Sequence, residues 1–280
     1  MQKNNNIIYE TDEEQRNLKS SIASFISIRR NNKIMKYQKI NTCFLRDANN
    51  VIMPNHFTSK VFDNLKDLKW EGTEKVDGTN TRIEVRKING VITTKLLGKT
   101  DNAQIPVLLV EKINSIINAI DFNKVFPDME DNSEITIFGE GYGYKIQNGG
   151  SYTIKGELDK LSKDLVDFIL FDVRVGNFWL NRKSCEDIAK KMNIKIVPIV
   201  GYFTIKEACD YVKKGYKSLI AADKDLIAEG LVLRTTDGLL FRNGERIITK
   251  IKHKDFQQLI KIYGENYTGE QPINTKYKFH

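Results

Sequence analysis

The sequence predicts an α+β fold with mainly antiparallel sheets. Strand-like runs are interrupted by helical patterns at irregular intervals, and the dipeptide Asn89-Gly90 between two such runs is a strong hairpin signal. No series of alternating strands and helices carries a GxGxxG or GxxxxGK[ST] motif, so a P-loop or dinucleotide-binding fold is disfavoured.

Residues 1–35 are predicted to form an N-terminal helical extension. Thr11 and Glu14 have the spacing of a capping box, and apolar residues then recur at helical intervals from Leu18 to Ile26. The apolar stripe of this helix is suited to packing on the main domain or to contacting a partner.

The main domain is predicted to span residues 36–262, with its strand core beginning near Trp70. The stretch from Thr81 to Lys87 alternates between apolar and polar residues, as a half-buried strand does. Asn89-Gly90 would turn it into the following strand-like run, Val91 to Thr94.

The remaining elements follow from the same patterns. Further strands are predicted at residues 134–138, 165–175, 195–201, 230–234 and 246–252. Helices are predicted from Pro106 to Ile120, at 184–192 opened by Ser184, at 204–214 opened by the Thr204–Glu207 capping box, and from Lys254 to Tyr263. Asp237-Gly238 is a turn signal, and residues 263–280 are predicted to be a tail.

The composition is that of a globular protein, and its basic charge favours a polyanionic partner, although proteins that bind no nucleic acid can have the same balance. The 280 residues carry a net charge of +8, with a pI near 9.1. Three widely spaced cysteines argue against a disulfide framework or a structural zinc site, and the sequence shows no signal peptide and no membrane span. We expect a cytoplasmic protein (in the host cytoplasm if it is phage-encoded), without membrane contact and as a monomer.

The segment Glu74-Lys75-Val76-Asp77-Gly78-Thr79-Asn80 is the most informative in the chain. A neutral lysine amine is a nucleophile, and burial or nearby cations lower its free pKa of about 10.4 by disfavouring the ammonium form. The Asp77-Gly78 turn lets the backbone approach a nucleotide closely. A lone match of this kind has an ordinary alternative, namely a surface lysine before an Asp-Gly turn.

Four more segments follow Lys75 in a fixed order. They are Phe138-Gly139-Glu140-Gly141-Tyr142-Gly143, Phe168-Ile169-Leu170-Phe171-Asp172, Glu229-Gly230-Leu231-Val232-Leu233-Arg234 and Ile248-Thr249-Lys250-Ile251-Lys252-His253-Lys254. With the Lys75 segment they resemble the covalent nucleotidyltransferases, which comprise RNA ligases, DNA ligases and mRNA capping enzymes. The residues of the first two segments are most similar to those of the small ATP-dependent RNA ligases of phages. The resemblance covers roughly residues 36–260.

The resemblance implies two sheets around an ATP cleft, with Lys75 becoming covalently linked to AMP. Asn80 lies at a position that RNA ligases fill with Asn or Ser, whereas DNA ligases and capping enzymes usually have Arg there. Glu74 and Arg82 are further candidate nucleotide contacts, although Arg82 is equally explained as a solvated charge on a strand.

The resemblance also implies roles in the later segments. Glu140 would bind the ribose, the ring of Phe171 would stack on adenine, and Glu229 would help to hold the catalytic metal. Asp172 sits in an apolar strand, and a buried carboxylate needs a lysine, an arginine or a metal as its partner, so we predict it as a second metal ligand.

Lys250 and Lys252 are one residue apart on a predicted strand, so both side chains point to one face. Two cations on one face of an apolar strand are costly unless anions meet them, and triphosphate oxygens are suitable anions. The resemblance implies that they contact the α-phosphate. The alternative is a basic edge strand that guards against aggregation.

The implied function is ATP-dependent RNA ligation with Mg²⁺ or Mn²⁺, through lysine–AMP and adenylylated-RNA intermediates. RNA is the expected partner, and RNA–DNA hybrids or DNA are further candidates. The alternatives are a DNA ligase or capping-type guanylyltransferase, and a catalytically silent nucleic-acid-binding module. No OB-fold domain is expected, because the 28 residues after Lys252 are too few for one.

Overall fold

The computed structural model of the chain describes residues 37–147, 152–153 and 165–267. The predicted N-terminal helix and residues 268–280 of the predicted tail lie outside the described residues, so the predicted domain boundaries stay predictions. None of the helices in the described part is long and apolar enough to cross a membrane.

The strands of the described part are grouped into two large sheets and one hairpin. In chain order they are β1 (Asn41–Thr42), β2 (Phe44–Arg46), β3 (Ile52–Phe57), β4 (Trp70–Glu74), β5 (Thr79–Ile88), β6 (Val91–Gly98), β7 (Glu134–Gly143), β8 (Val166–Val175), β9 (Phe178–Trp179), β10 (Lys195–Ile196), β11 (Ile199–Phe203), β12 (Gly230–Thr235) and β13 (Ile248–Lys252). Sheet A has the order β1-β13-β12-β4-β11, sheet B has the order β10-β8-β7-β5-β6 with β9 beside β8, and β2 pairs with β3.

Both sheets are mainly antiparallel, as the sequence predicted. The exceptions are the short outer pairs, since β1 runs parallel to β13 and β10 runs parallel to β8. In sheet A, β12 is central and pairs antiparallel with both β4 and β13. This order places the end of β4, which precedes Lys75, beside the start of β12, which follows Glu229, and one strand away from β13, which carries Lys250 and Lys252.

Helices cover the outer faces of the sheets. They are α1 (Lys60–Asn64), α2 (Val107–Asn118), α3 (Phe122–Val125), α4 (Arg182–Lys191), α5 (Ile205–Lys214) and α6 (His253–Tyr263). Helices α2 and α4 pack on sheet B around a core that includes Ile83, Ile137 and Leu170. A second core, which includes Trp70, Leu231 and Phe256, joins sheet A to α5 and α6.

The structure confirms most elements, extends the strands predicted at Val91–Thr94 and 134–138 to Gly98 and Gly143, and corrects three further boundaries. The Asn89-Gly90 hairpin joins β5 and β6, and the Thr204–Glu207 capping box opens α5. Strands begin at Asn41, not near Trp70, because β1 completes sheet A from the N-terminal side. The predicted strand at 195–201 is two strands that flank Pro198, and a proline cannot donate to a sheet.

The third boundary concerns helix α4, which starts at Arg182 and not at Ser184. The side chain of Asn181 accepts a hydrogen bond from the backbone N–H of Ser184, so Asn181 is the N-cap. Ser184 lies within the first turn that this cap stabilises.

Candidate nucleotide-binding and catalytic site

Lys75 follows directly on β4 and is held from two directions. Its backbone N–H donates to the carbonyl of Gly230 at 2.8 Å. Its Nζ donates to Glu229 Oε2 at 2.5 Å, and the Lys75 side chain is 20% exposed. The amine is therefore fixed in a half-buried position at the junction of β4 and β12, with one face open to solvent.

Glu229 bridges two lysines. While Oε2 accepts from Lys75, Oε1 lies 2.7 Å from the Nζ of Lys252. Burial alone would raise the pKa of Glu229, but the ammonium groups of Lys75 and Lys252 outweigh it and hold the pKa below its usual value. The site therefore contains a carboxylate anion between two cations.

The glycine after this carboxylate makes the bridge geometrically feasible. Gly230 has a positive φ of 152°, and a Cβ added there would lie 2.0 Å from the carbonyl oxygen of Ile251. Its register partner on β13 is Lys252. Only a residue without a side chain lets β12 and β13 approach closely enough for Glu229 and Lys252 to pair.

Lys250 shares the face of Lys252, as the alternation along β13 predicted, while Ile251 between them packs into the core. Burial lowers the pKa of Lys250 to about 8, and the positive charges of Lys252 and Lys75 add to this effect. Three lysines therefore converge on one region, an arrangement that is suited to binding an anion.

Glu140 faces the same region from sheet B. It pairs in register with Asn80 of β5. Burial raises the pKa of Glu140 to about 8; Lys75 opposes this rise, and the charges of Glu229 and Asp77 add to it. Asn80 Oδ1 is buried and has no hydrogen-bond partner. An orphaned acceptor beside a perturbed carboxyl group indicates a ligand that donates hydrogen bonds.

The Asp77-Gly78 turn packs directly on sheet B. A Cβ at Gly78 would lie 2.3 Å from the carbonyl oxygen of Gly141, so the position excludes any side chain. This close approach brings the turn after Lys75 against strand β7 and places Asp77 near Glu140.

Phe171 is the extra residue of a β-bulge. Phe138 of β7 pairs with Asp172, but the next residue, Gly139, pairs with Leu170, so Phe171 has no partner on β7. Leu170 and Val173 both pack into the core under sheet B. The two residues between them, Phe171 and Asp172, are therefore both turned away from that core.

The ring of Phe171 borders a small apolar cluster next to Lys75. This cluster consists of Val76, Tyr142, Tyr152, Ile169, Val197 and Ala221, with Ile220 and Leu226 packed against it. Phe171 itself is only partly buried. A partly exposed aromatic face beside an apolar wall has the form of a pocket for a flat base.

Asp172 is fully buried, with 0% exposure, and all four of its contacts are hydrogen-bond donors. Oδ2 accepts from Tyr37 at 2.6 Å and lies 2.9 Å from Arg246 Nη2, while Oδ1 accepts from Arg246 Nη1 at 3.0 Å and Arg234 Nη1 at 3.3 Å. A carboxylate has about four acceptor sites. The geometry thus assigns Asp172 to an ion-pair network and speaks against our prediction that it ligates the metal.

Arg82 is also explained by local contacts. Its side chain is 1% exposed and donates to Glu84 Oε1 at 3.2 Å, to the carbonyl of Gly98 and to Asp101. The alternative of a solvated strand charge was wrong, because the guanidinium is buried. These contacts bind β5 to the end of β6, and the predicted nucleotide contact of Arg82 gains no support from them.

Glu74 supports the site through its side chain. Its carboxylate, with the residue only 1% exposed, accepts hydrogen bonds from Ser218 Oγ and, at 2.7 Å, from the backbone N–H of Leu219. Burial raises the pKa of Glu74. The carboxylate thus holds residues 218–221 against the apolar cluster, whereas we had predicted Glu74 as a nucleotide contact.

Sequence reasoning missed several residues that complete the site. Tyr216 donates to the carbonyl of Gly230 at 2.7 Å, the same oxygen that accepts from Lys75. Lys99 is close enough for its charge to affect both Glu140 and Lys250. Neither residue lies in one of the five segments that carry the family resemblance, so the sequence did not reveal a role for them.

A comparison with models of known protein families shows which family the chain belongs to. Residues 68–252 match the family model described as RNA ligase. The chain belongs to the RNA ligase family. The matched range contains Lys75, Glu140, Glu229, Lys250 and Lys252, which confirms the resemblance drawn from their segments. No curated protein sequence matches this RNA ligase family member.

Solved structures support the fold. The family member resembles a Naegleria gruberi RNA ligase variant with ATP and Mn (TM-score 0.53, 18% identity, 81% of this chain and 58% of that one). It also resembles a variant of that ligase with AMP and Mn (TM-score 0.52, 18% identity, 81% and 58%) and the ligase with pyrophosphate (TM-score 0.50, 20% identity, 81% and 60%). The chain spans about three fifths of the length of these solved chains.

Proposed function

We propose that the protein is an ATP-dependent RNA ligase that joins 5′-phosphate and 3′-hydroxyl ends. The observation that carries this proposal is the Lys75–Glu229–Lys252 bridge, with Nζ to carboxylate distances of 2.5 and 2.7 Å, in a member of the RNA ligase family. The bridge holds a lysine amine at the open edge of a site that is rich in cations and suited to a triphosphate.

The first step forms a lysine–AMP phosphoramidate. Lys75 loses a proton to water, its Nζ forms a bond to the α-phosphorus of ATP, and the bond to the leaving pyrophosphate breaks. Glu229 orients the amine, because its carboxylate already accepts a hydrogen bond from Nζ. Lys250 and Lys252 would contact the α-phosphate and stabilise the charge that develops on its oxygens.

The two later steps reuse the same groups. A terminal 5′-phosphate oxygen of the RNA attacks the phosphorus of lysine–AMP, and the nitrogen–phosphorus bond breaks and releases Lys75. A 3′-hydroxyl then loses its proton and attacks the RNA phosphate, so that a phosphodiester forms and AMP leaves. In each step negative charge accumulates on phosphate oxygens, and this is the charge that the convergent lysines would stabilise.

The nucleoside part of ATP would bind between the sheets. The exposed face of Phe171 would stack on adenine, a contact worth about 1–3 kcal/mol for a base on an aromatic ring. Glu140 and the orphaned oxygen of Asn80 would accept hydrogen bonds from the ribose hydroxyls.

A divalent metal fits this donor set only together with the substrate. The described residues contain no cluster of three or more His, Cys, Asp or Glu side chains that could hold a metal ion by themselves. Glu229 would help to hold an ion such as Mg²⁺ or Mn²⁺, which takes a few carboxylates and completes its shell with phosphate oxygens and water. Such an ion would supply positive charge at the triphosphate.

RNA is the proposed polynucleotide, because the family is that of RNA ligases. The net charge of +8 is consistent with a polyanionic partner. RNA–DNA hybrids and DNA are substrates to be compared with RNA. The proposal includes a cytoplasmic location, where ATP and RNA are present, and a monomeric state.

Intact mass measurement tests this function directly. Protein first stripped with pyrophosphate is incubated with ATP and magnesium, beside a Lys75→Ala variant. We expect an AMP-sized gain in the wild type only, followed by sealing of RNA ends. A gain with GTP and not ATP would indicate a capping-type enzyme, sealing of DNA alone would indicate a DNA ligase, and no gain with either nucleotide would refute the enzyme.

A further inference from the structure

The two side chains at the bulge in β8 need support from outside the core of their own sheet. An extra residue lacks a ladder partner, and two consecutive side chains that both leave the core receive no support from the packing beneath the sheet. Phe171 and Asp172 are these two residues, since their neighbours Leu170 and Val173 pack into the core. The direction of the Phe171 ring must therefore be set from the cleft side.

The Asp172 network supplies that support from three separate parts of the chain. Arg234 belongs to β12 of sheet A, Arg246 precedes β13, and Tyr37 precedes β1. All three side chains donate to the Asp172 carboxylate at distances from 2.6 to 3.3 Å. A residue of sheet B is thereby tied to sheet A at the position next to Phe171.

Tyr37 links the network to the Phe171 ring itself. Its hydroxyl accepts from Arg246 at 3.0 Å and donates to Asp172 at 2.6 Å. Its ring meets Phe171 edge-on, with the centroids 5.0 Å apart, and also contacts Phe138 at 5.1 Å and Trp179 at 5.5 Å. The carboxylate therefore fixes a ring that packs at a steep angle against Phe171.

Arg246 is itself fixed in place. Its guanidinium carbon lies 3.7 Å from the centroid of the Trp179 ring, a stacking distance, and the residue is 9% exposed. A planar guanidinium that is stacked on one side and bidentate to a carboxylate has little freedom to turn. The guanidinium of Arg246, which binds Asp172, is thus itself held in a fixed orientation by Trp179 and by the carboxylate.

We propose that Asp172 is a positioning residue, which acts through Tyr37 and the bulge to hold the Phe171 ring at the angle that stacks on the base of ATP. This role rests on the proposed function, because Phe171 stacks on adenine only if ATP binds in this cleft. This role replaces a metal role for Asp172. The two arginines would then contribute to base binding indirectly, because they hold the Asp172 carboxylate.

A double-mutant cycle on ATP binding tests the proposal. All variants carry Lys75→Ala, so that no adduct forms and the dissociation constant of ATP is measured calorimetrically without any need for ligase activity. We expect Asp172→Asn to raise this constant about tenfold, as partial loss of base stacking would. Phe171→Ala should raise it by at least as much, and Asp172→Asn should add nothing further to Phe171→Ala.

Two readouts separate positioning from a general structural role. Inorganic tripolyphosphate occupies the phosphate subsite without a base, so Asp172→Asn should leave its binding unchanged. The matched control is Asp255→Asn, which removes another buried ion pair, that of Asp255 with Arg46 at 2.6 Å, and should leave ATP binding unchanged. Tyr37→Phe keeps the ring and loses one hydrogen bond, so it should change ATP binding in the same direction by a smaller factor.

The outcomes are distinct. Additive effects of Asp172→Asn and Phe171→Ala, or weaker tripolyphosphate binding, would overturn the positioning role. A raised magnesium requirement for ATP binding in Asp172→Asn would restore the metal role. If Asp172→Asn does not fold, the cycle is run with Tyr37→Phe, and an unchanged ATP affinity there refutes the proposal. Failure of the wild type to form an AMP adduct refutes the ligase function separately.

Discussion

Two carboxylates in this protein each lie between two cations, and they do different work. Glu229 bridges Lys75 and Lys252, whereas Asp172 bridges Arg234 and Arg246. The Glu229 side chain is 11% exposed and the Asp172 side chain is 0% exposed. A lysine can give up its proton and leave its partner, but an arginine stays charged and binds through a planar fork. The proposed function thus assigns chemistry to the carboxylate between lysines and rigidity to the carboxylate between arginines.

The largest effect is expected where the difference between the two cations matters most. Lys75→Arg keeps the positive charge beside Glu229 but replaces the amine that we propose as the nucleophile with a guanidinium, which stays charged. We expect no AMP adduct by intact mass and an almost unchanged melting temperature. An adduct on the Lys75→Arg variant would mean that another lysine is the nucleophile.

The second prediction compares the carboxylates in stability. Asp172→Asn removes the fully buried carboxylate that pairs with Arg234 and Arg246, and it should lower the free energy of unfolding by about 3–5 kcal/mol. Glu229→Gln should cost clearly less, because the Glu229 side chain is partly exposed whereas that of Asp172 is not. Urea unfolding of both variants measures the difference. Equal losses would show that the two bridges are structurally equivalent.

The third prediction concerns pH. Burial raises the pKa of Glu140 to about 8, so the folded protein holds this proton more tightly than the unfolded chain does. Stability should then fall as the pH rises from about 4.5 to about 8, by a few kcal/mol at about 1.4 kcal/mol per unit of pKa. Glu140→Gln cannot ionise, and its unfolding free energy should lack this decline. Parallel pH profiles for the two proteins would contradict the raised pKa.

The smallest effect is expected at the support of the apolar cluster. Ser218→Ala removes one donor to the buried Glu74 carboxylate and should cost about 1–3 kcal/mol, with weaker ATP binding because residues 218–221 lose their anchor. Thr204→Ala removes the N-cap of α5 at a similar cost of about 1 kcal/mol and serves as the control. Weaker ATP binding in both variants would make the Ser218 effect a general consequence of lower stability.

The sequence predicted those parts of the molecule that depend on local patterns. The β5–β6 hairpin, the capping box of α5 and the shared face of Lys250 and Lys252 each follow from a few neighbouring residues. The family of the protein followed from short segments around such residues. These features were predictable because their physical causes lie within about ten residues of each other.

The parts that could not be predicted depend on contacts between distant segments. Asp172 was a candidate metal ligand because a buried carboxylate needs a partner, and nothing in its own strand shows that Arg246 and Tyr37 supply it across 74 and 135 residues. The bulge at Phe171 is likewise invisible in an apolar run, since it exists only in the pairing of β8 with β7. Glu74 and Arg82 found partners in the same long-range way.

The close approach of β12 and β13 at Gly230 determines how far apart the charged groups of the proposed site lie. A side chain there would act as a wedge between β12 and β13, because its Cβ would lie 2.0 Å from the backbone oxygen of Ile251. Separation of these strands would move Glu229 away from Lys252 while leaving every reacting side chain intact. The distance between Glu229 and Lys252 thus depends on the absence of a side chain at residue 230. Even Gly230→Ala, which adds only one carbon atom, should separate these two charged groups.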